Sequence, residues 1–393
     1  MALIERPYEY SYSKNEIRYV FQLANLERVN LYLQVRLIYK KLSETVYTQL
    51  YVFDLKPTNT GLVYFYIQGY LDSVVNYSLP QPGTVVNAAD DQARNFYIEY
   101  REITDDDPNP DFVTTESSQV RIVIKGGVEK NKFHINNVFA NYLQTQKVFL
   151  TWNPPGHFIF YSENVFISFL NPTPGSALQL KLNCVSVTNV THTQTINING
   201  TALIYHLNIS PLLINYAYLN ATDTYYFEAS ITNAAGTTTL INPYRFFMEY
   251  RPIYKYYDLV YFNSLGGVSG VRVSGETSVA ISRDYDEIEG GMNLDWTSNF
   301  NAAETTYINI RLQRQYKGDI GYLRNRTKKE QESFIELLAT QNIYQLINQR
   351  WIPVIGLQKS VDLGTNKATR QSFPIEWSLS ETNDVYTPEK SSW

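Results

Sequence analysis

The sequence predicts a mainly β protein: two tandem β-sandwich modules followed by a C-terminal α+β module with one or two helices on a sheet. Three observations carry this expectation. The chain of 393 residues holds 33 tyrosines and 19 phenylalanines, side chains that suit pleated, half-buried surfaces. Period-two alternation of apolar and polar residues runs through roughly the first 280 positions. Segments also recur in the same order along the chain, as they do when one module is written twice.

Taken in order, "VNLYLQVRLIY" (29–39) alternates through Leu31, Leu33, Val35 and Leu37. "VRIVIKG" (120–126), "ALQLKLNCVSV" (177–187) and "RFFMEY" (245–250) read the same way. Turn residues punctuate them in "KPTNTG", "PQPG", "DDDPNPD", "NPPG" and "NPTPG", a spacing typical of sandwiches. "GLVYFYIQGYLDSVVNY" (61–77) is echoed by "GTALIYHLNISPLLINYAY" (200–218), and "ARNFYIEYREIT" (93–104) by "DTYYFEASITN" (223–233). These echoes place a first module at 1–130, a connector or contact arm at 131–146 and a second module at 147–253. Within the connector, Val138, Phe139 and Leu143 would suit a short helix.

The third module, 254–393, opens with "YFNSLGGVSGVRVSG" (261–275). A glycine pair that cradles phosphate leads into a helix N-terminus, whereas Gly266 and Gly267 lead into a strand. They read as a turn, in the slot of Lys14-Asn15 in the first module and Pro154-Pro155-Gly156 in the second. Gly126 and Gly127, which close the "RIVIKGG" strand, read as a second structural turn. "TKKEQESFIELLATQNIYQLINQ" (327–349) reads as helical. Thr327 and Glu330 form a capping box, Phe334, Leu337 and Leu338 make an apolar stripe, and Ile343, Leu346 and Ile347 continue it. "WIPVIGLQ" and "QSFPIEWSLS" return to strand, with Pro353 and Pro374 pointing to edge positions.

Chemistry is sparse. A net charge of −5, with no basic run beyond Lys328-Lys329, argues against nucleic-acid binding. Cys184 is the single cysteine, so no intramolecular disulfide forms, and its strand context reads as a buried apolar residue. His134, His157, His192 and His206 lack metal-ligand spacing, and nucleophile motifs are absent. Two acidic segments are candidates for Ca²⁺: Asp105, Asp107 and Asp111, and, more weakly, Asp284, Asp286 and Glu287. Both read as solvated turns. The start "MALIERPYEYSYSKNE" has no apolar h-region, and no stretch has membrane-span length. The expectation is a non-enzymatic chain without cofactor, signal peptide or membrane span.

Three motifs in sequence carry a resemblance: "RIVIKGG" upstream of "FLTW" (149–152), the "YFNSLGGVSGVRVSGE" hairpin, and a late helix followed by "WIPVIGLQKS". In this the chain resembles uncharacterised virion structural proteins of tailed phages and prophages of Bacteroidetes-group bacteria. The resemblance spans nearly the whole chain. It implies a tail, baseplate or neck component, made in the host cytoplasm and assembled with copies of itself and neighbouring virion proteins. It brings no catalytic residues. The alternative is a receptor- or glycan-binding tip protein or adhesin that uses Tyr-rich β surfaces, with host-surface glycan as partner.

Overall fold

The computed structural model describes the chain except residues 25, 109, 115–119, 130–137, 215–223, 251–254, 275–276, 290–304, 321–334, 358–373 and 381–393. The protein is mainly β. It divides into two compact units, Met1–Arg251 with Phe262–Ser269, and Pro252–Tyr261 with Gly270–Trp393.

The first sandwich contains β1 (Ala2–Glu5), β2 (Tyr10–Tyr12), β3 (Arg18–Gln22), β4 (Tyr32–Lys41), β5 (Thr48–Leu55), β6 (Leu62–Tyr66), helix α1 (Gln68–Asp72), β8 (Ala93–Ile103), β9 (Val113–Thr114) and β10 (Arg121–Ile124), while β7 (Val86–Ala88), between α1 and β8, crosses to the second sandwich. Its large sheet runs β2-β10-β8-β4-β5, with β9 on β8, and its small sheet runs β1-β3-β6. The second sandwich contains β11 (His157–Phe160), β12 (Phe166–Leu170), β13 (Leu178–Ser186), β14 (Thr191–Ile198), β15 (Ile204–Asn208), α2 (Pro211–Ile214), β16 (Thr224–Asn233) and β17 (Thr239–Glu249). Its large sheet runs β11-β17-β16-β13-β14, and its small sheet runs β12-β15-β7. Strand for strand the large sheets have the same order, including a parallel pair at one edge, β2 with β10 and β11 with β17.

Alternation places the cores. Leu33, Val35 and Leu37 of β4, Val63 and Phe65 of β6, and Phe96 and Ile98 of β8 fill the first sandwich. Leu178, Leu180, Leu182 and Cys184 of β13 do so in the second, with Phe227, Ala229 and Ile231 of β16. Burial pushes the Cys184 thiol up to about 12, so it stays protonated and inert at neutral pH. The connector is helical over Val138–Gln144, with wide π-type turns, and buries Val138, Phe139 and Leu143.

In one respect the structure corrects the module heads. β2 and β3 lie in different sheets, as do β11 and β12, so neither pair is a hairpin. The counterpart of Lys14-Asn15 is the 161–165 loop between β11 and β12, and Pro154-Pro155-Gly156 precedes β11. The Gly266-Gly267 turn therefore has no equivalent in either sandwich.

The last strands are β18 (Tyr257–Phe262), β19 (Val268–Val273), β20 (Ser278–Glu289), β21 (Thr305–Asp319), β22 (Ile343–Ile347), β23 (Arg350–Gly356) and β24 (Pro374–Leu379). They form one sheet, β19-β18-β22-β23-β24-β21-β20. Around it pack Leu259, Tyr316, Leu337, Ile343, Val354, Ile375 and Trp377. The helix expected over 327–349 is shorter: residues 335–339 are helical, and Ile343–Ile347 is strand. Ile343 and Gln345 alternate into the interior, and β22 joins β18 on one side and β23 on the other, a ladder that outweighs helical periodicity in a short β-rich run. Leu337 is buried whereas Leu338 is exposed; Thr327, Glu330 and Phe334 lie outside the described residues.

Pro353 is also not on an edge, because β23 sits between β22 and β24. Its carbonyl accepts the Ser380 amide at 3.0 Å, and the ladder to β24 begins at Val354. Its missing N–H faces the same side, so only the terminal bond to Ser380 is forgone, at the end of that ladder. Pro374 opens β24, another tolerated position. Among the described residues no helix is long and apolar enough to cross a membrane.

Candidate functional site

The tip of the β18–β19 hairpin is built from Asn263, Ser264, Leu265, Gly266 and Gly267. Gly266 N–H donates to Asn263 O at 3.0 Å and Asn263 N–H to Gly267 O at 2.9 Å. The Asn263 side chain stiffens the turn, since its Oδ1 accepts the Gly267 amide at 2.9 Å. This tip does not project into solvent. Leu265 is fully buried in an apolar cluster with Tyr12 and Ile124 from the first sandwich, Phe139 from the connector, and Leu150, Leu170 and Ile204 from the second.

Polar ties from both sandwiches converge on the tip. From the first, the Tyr12 hydroxyl donates to Leu265 O at 3.1 Å, Gln92 Nε2 to Gly266 O at 3.0 Å, and the Gly127 amide to Ser264 O at 2.9 Å. With the second, Asn263 Nδ2 donates to Leu150 O at 2.8 Å, Val268 N–H to Ser168 Oγ at 2.9 Å, and Trp152 Nε1 to Ser264 Oγ at 2.7 Å. The tip is therefore a wedge that holds the sandwiches together by main-chain and buried side-chain bonds. Buried hydrogen bonds of this kind fix one arrangement over alternatives, although Gln92 Oε1 has no partner among the described residues.

All four glycines read as turns meet here. Gly266 has φ +79°, and a Cβ on it would lie 2.5 Å from Lys125 O. A Cβ on Gly267 would run into Leu150 O. Gly126, at φ +151°, would put one 2.8 Å from Ser264 O, and Gly127 one 2.6 Å from Lys14 Cβ. Contact with the Lys14 side chain thus explains Gly127, close approach of a carbonyl explains Gly267, and positive φ adds to such approach at Gly126 and Gly266. Beside them Asp72 Oδ1 accepts from Lys125 Nζ at 2.8 Å and from Ser13 Oγ at 2.6 Å. Burial pushes the Asp72 carboxyl up, but these two hydrogen bonds outweigh it and hold the group below its ordinary value.

Ser168 and His206 are cross-strand neighbours on β12 and β15, joined Oγ to Nδ1 at 2.7 Å. Burial pulls the His206 imidazolium down to about 3, so the ring is neutral at ordinary pH. Ser168 Oγ also accepts from Val268 N–H, so the hydroxyl ties the ring to the hairpin tip. Nε2 has no hydrogen-bond partner among the described residues; the ring meets the edge of Phe262 at 6.1 Å, and Phe262 stacks on Tyr77 at 4.3 Å. The pair is sealed in the junction and acts as a hydrogen-bonded spacer.

The acidic candidates do not assemble. Asp284, Asp286 and Glu287 belong to strand β20, not to a turn, and pair along β21 with Arg311, Ile308 and Tyr307, with a bulge between Asp284 and Asp286. The β-rich "SVAISRDY" run carries the ladder through them. The Asp105 carboxylate accepts from Asn30 Nδ2 at 2.9 and 3.0 Å. Among the described residues no group of three or more His, Cys, Asp or Glu is placed to hold a metal ion. His134 lies outside the described residues, and His157 packs edge-on against Phe246. Sequence reasoning missed Gln92, Asn263, Ser168 and Trp152. Only Asn263 carried a local signal, an Asn opening a glycine turn.

No family model matches the chain, and no curated protein matches it. Among solved structures, the crystal structure of calcium binding domain CBD12 of CALX1.1 aligns over 58% of this chain and 79% of that one, at 8% identity and a TM-score of 0.17. Likeness that slight carries no argument.

Proposed function

We propose that the chain is a non-enzymatic structural component of a tailed-phage virion, in the tail, baseplate or neck, that works through oligomeric assembly and protein–protein contacts. The observation that carries this reading is the junction. Four glycines and a set of buried hydrogen bonds are devoted to locking two sandwiches into one unit, which suits a part that holds position among neighbours. The motif resemblance across nearly the whole chain supports the same reading, and the acidic balance of −5 suits a surface along which DNA passes without sticking. Light scattering on the purified chain, with negative-stain images of the same fractions, tests it. Closed rings or a defined oligomer are expected; a monomer at all concentrations, unchanged by candidate virion partners, would sink the assembly reading.

A second reading, a receptor- or glycan-binding tip protein, draws on an exposed aromatic group. Phe158 stacks on Phe247 at 5.3 Å, and Tyr225 meets Phe247 at 5.2 Å, with Phe158 and Tyr225 open to solvent. Such rings suit the apolar face of a sugar. A glycan array with the wild type and Phe158→Ala separates the readings: binding lost in the variant favours the tip protein.

A further inference from the structure

The two small sheets differ at one edge: β15 is paired on both sides and β6 on one. In the second sandwich β7 lies antiparallel to β15, pairing Ala88 with Tyr205, Asn87 with His206 and Val86 with Leu207. Ala89 N–H to Ile204 O at 2.9 Å and Asn208 N–H to Val85 O at 2.8 Å extend the ladder. The main-chain groups of Ile204, His206 and Asn208 therefore face β7. Val85 and Val86 pack against the core of the second sandwich.

β6 is the counterpart of β15. Each follows the outer strand of the large sheet, precedes a short helix and pairs antiparallel with its neighbour, β3 or β12. Leu23 N–H to Gly61 O at 2.9 Å and Ile67 N–H to Ile17 O at 3.0 Å turn the odd positions towards β3. By alternation, the main-chain groups of Tyr64 and Tyr66 point the other way. Among the described residues no strand pairs with that side of β6, while Leu62 is held by Thr58.

Proteins blunt such edges with charge, proline or a bulge, and "LVYFY" has none of these. Aromatic rings from β5 and α1 gather beside β6. Phe53 lies 4.8 Å from Tyr70 and 4.9 Å from Phe65, and Tyr51 lies 5.1 Å from Tyr70. Tyr51 is 49% and Tyr70 39% exposed. Tyr64 and Tyr66, on the strand itself, are 44% and 45% exposed.

We propose that the β6 edge receives an extended strand of a partner protein, antiparallel to β6, uncharged and β-branched like the "TVVNA" of β7. Its main chain bonds to Tyr64 and Tyr66, and its apolar side chains lie over Phe53 and Tyr70. Strand addition of this kind draws affinity from main-chain bonds and selectivity from alternate side chains. The inference stands on the internal repeat and not on the virion reading, so either can fail alone.

The test uses the full chain and a labelled peptide copying residues 83–90, followed by fluorescence anisotropy and hydrogen exchange. Saturable one-to-one binding is expected, with exchange of the 62–66 segment slowed about tenfold or more. Tyr64→Pro, which removes the outward N–H and fixes φ, should abolish binding. A peptide with Asn87→Pro should not bind, because its N–H would face Tyr64 as that of Asn87 faces His206 in the chain. Tyr66→Lys places a charge at the edge without altering the main chain, and decides the matter if the proline variant does not fold. No saturation up to about 1 mM peptide, or binding indifferent to these variants, overturns the proposal. So does a dimer that already protects 62–66 before peptide is added, since the occupant would then be a second copy.

Discussion

The amide of Gly127 donates to the carbonyl of Ser264 at 2.9 Å, so two turns remote in sequence hold each other by main chain alone. Nothing thicker than a glycine fits between them. This makes substitution at the junction costly for reasons that differ by position. Gly266→Val must hold a branched side chain at φ +79° and displace Lys125 O. Gly267→Val has no such φ and suffers chiefly from the Leu150 carbonyl, with Leu150 Cβ and Asn263 Nδ2 next to it. Each variant should lose about 2–4 kcal/mol in urea denaturation. Gly69→Ala, in α1 with open space around the added Cβ, should be neutral or stabilising by up to about 1 kcal/mol. Equal stability of all three variants would remove the junction from the account.

Asn263 should matter as much as the glycines. Its buried amide donates to Leu150 O at 2.8 Å and Ser269 Oγ at 3.0 Å, and its Oδ1 accepts from Gly267. Asn263→Ala leaves a buried donor and acceptors without partners, at a cost of about 2–3 kcal/mol. Asn263→Asp should cost more, because a carboxylate would face Leu150 O where a donor stood. A thermal melt in which the Asp variant outlasts the Ala variant would contradict this.

Acid should weaken the protein through His206. Its folded value of about 3 lies below the unfolded value of roughly 6.5. Above that unfolded value both states are neutral and the site contributes no pH dependence. As pH falls from there towards 3, the unfolded chain binds a proton that the folded one refuses. Stability should drop by about 1.4 kcal/mol per pH unit from this residue. Stability curves collected across pH 4–7 should be flatter for His206→Gln than for the wild type by about one proton; identical slopes would show that the ring is protonated in place.

How far the sequence speaks depends on the range of the forces involved. Half-buried strands were legible because burial on one face writes itself as alternation, and the repeat was legible because the same strands recur. The glycine pairs could be read as turns from their neighbours alone. That Gly127 meets Ser264, or that Gln92 reaches Gly266, depends on how the modules pack, and no local pattern encodes it. The misreadings have the same origin. "IYQLI" has apolar residues at spacings compatible with helix or strand, and the open edges of β18 and β23 decide for strand. Pro353 looks like an edge residue until the end of the β23–β24 ladder is known.

The second unit offers its own test in Asp258 and Arg272. The guanidinium donates through Nε to Oδ1 at 2.7 Å and through Nη2 to Oδ2 at 2.8 Å, and both side chains are buried. Arg272 also stacks over Tyr256 at 3.7 Å. Taking two charges out of water is costly, so the pair need not add net stability, but breaking it strands a charge in the interior. Arg272→Met or Asp258→Leu alone should each lose about 3–5 kcal/mol. The double variant should lie within about 1–2 kcal/mol of the wild type, because no buried charge remains. Denaturation of the four proteins forms a double-mutant cycle, and a strong favourable coupling between the two substitutions is expected. Losses that simply add would mean that water reaches the pair and screens it, and that the bidentate contact is not what holds β18 and β19 in register.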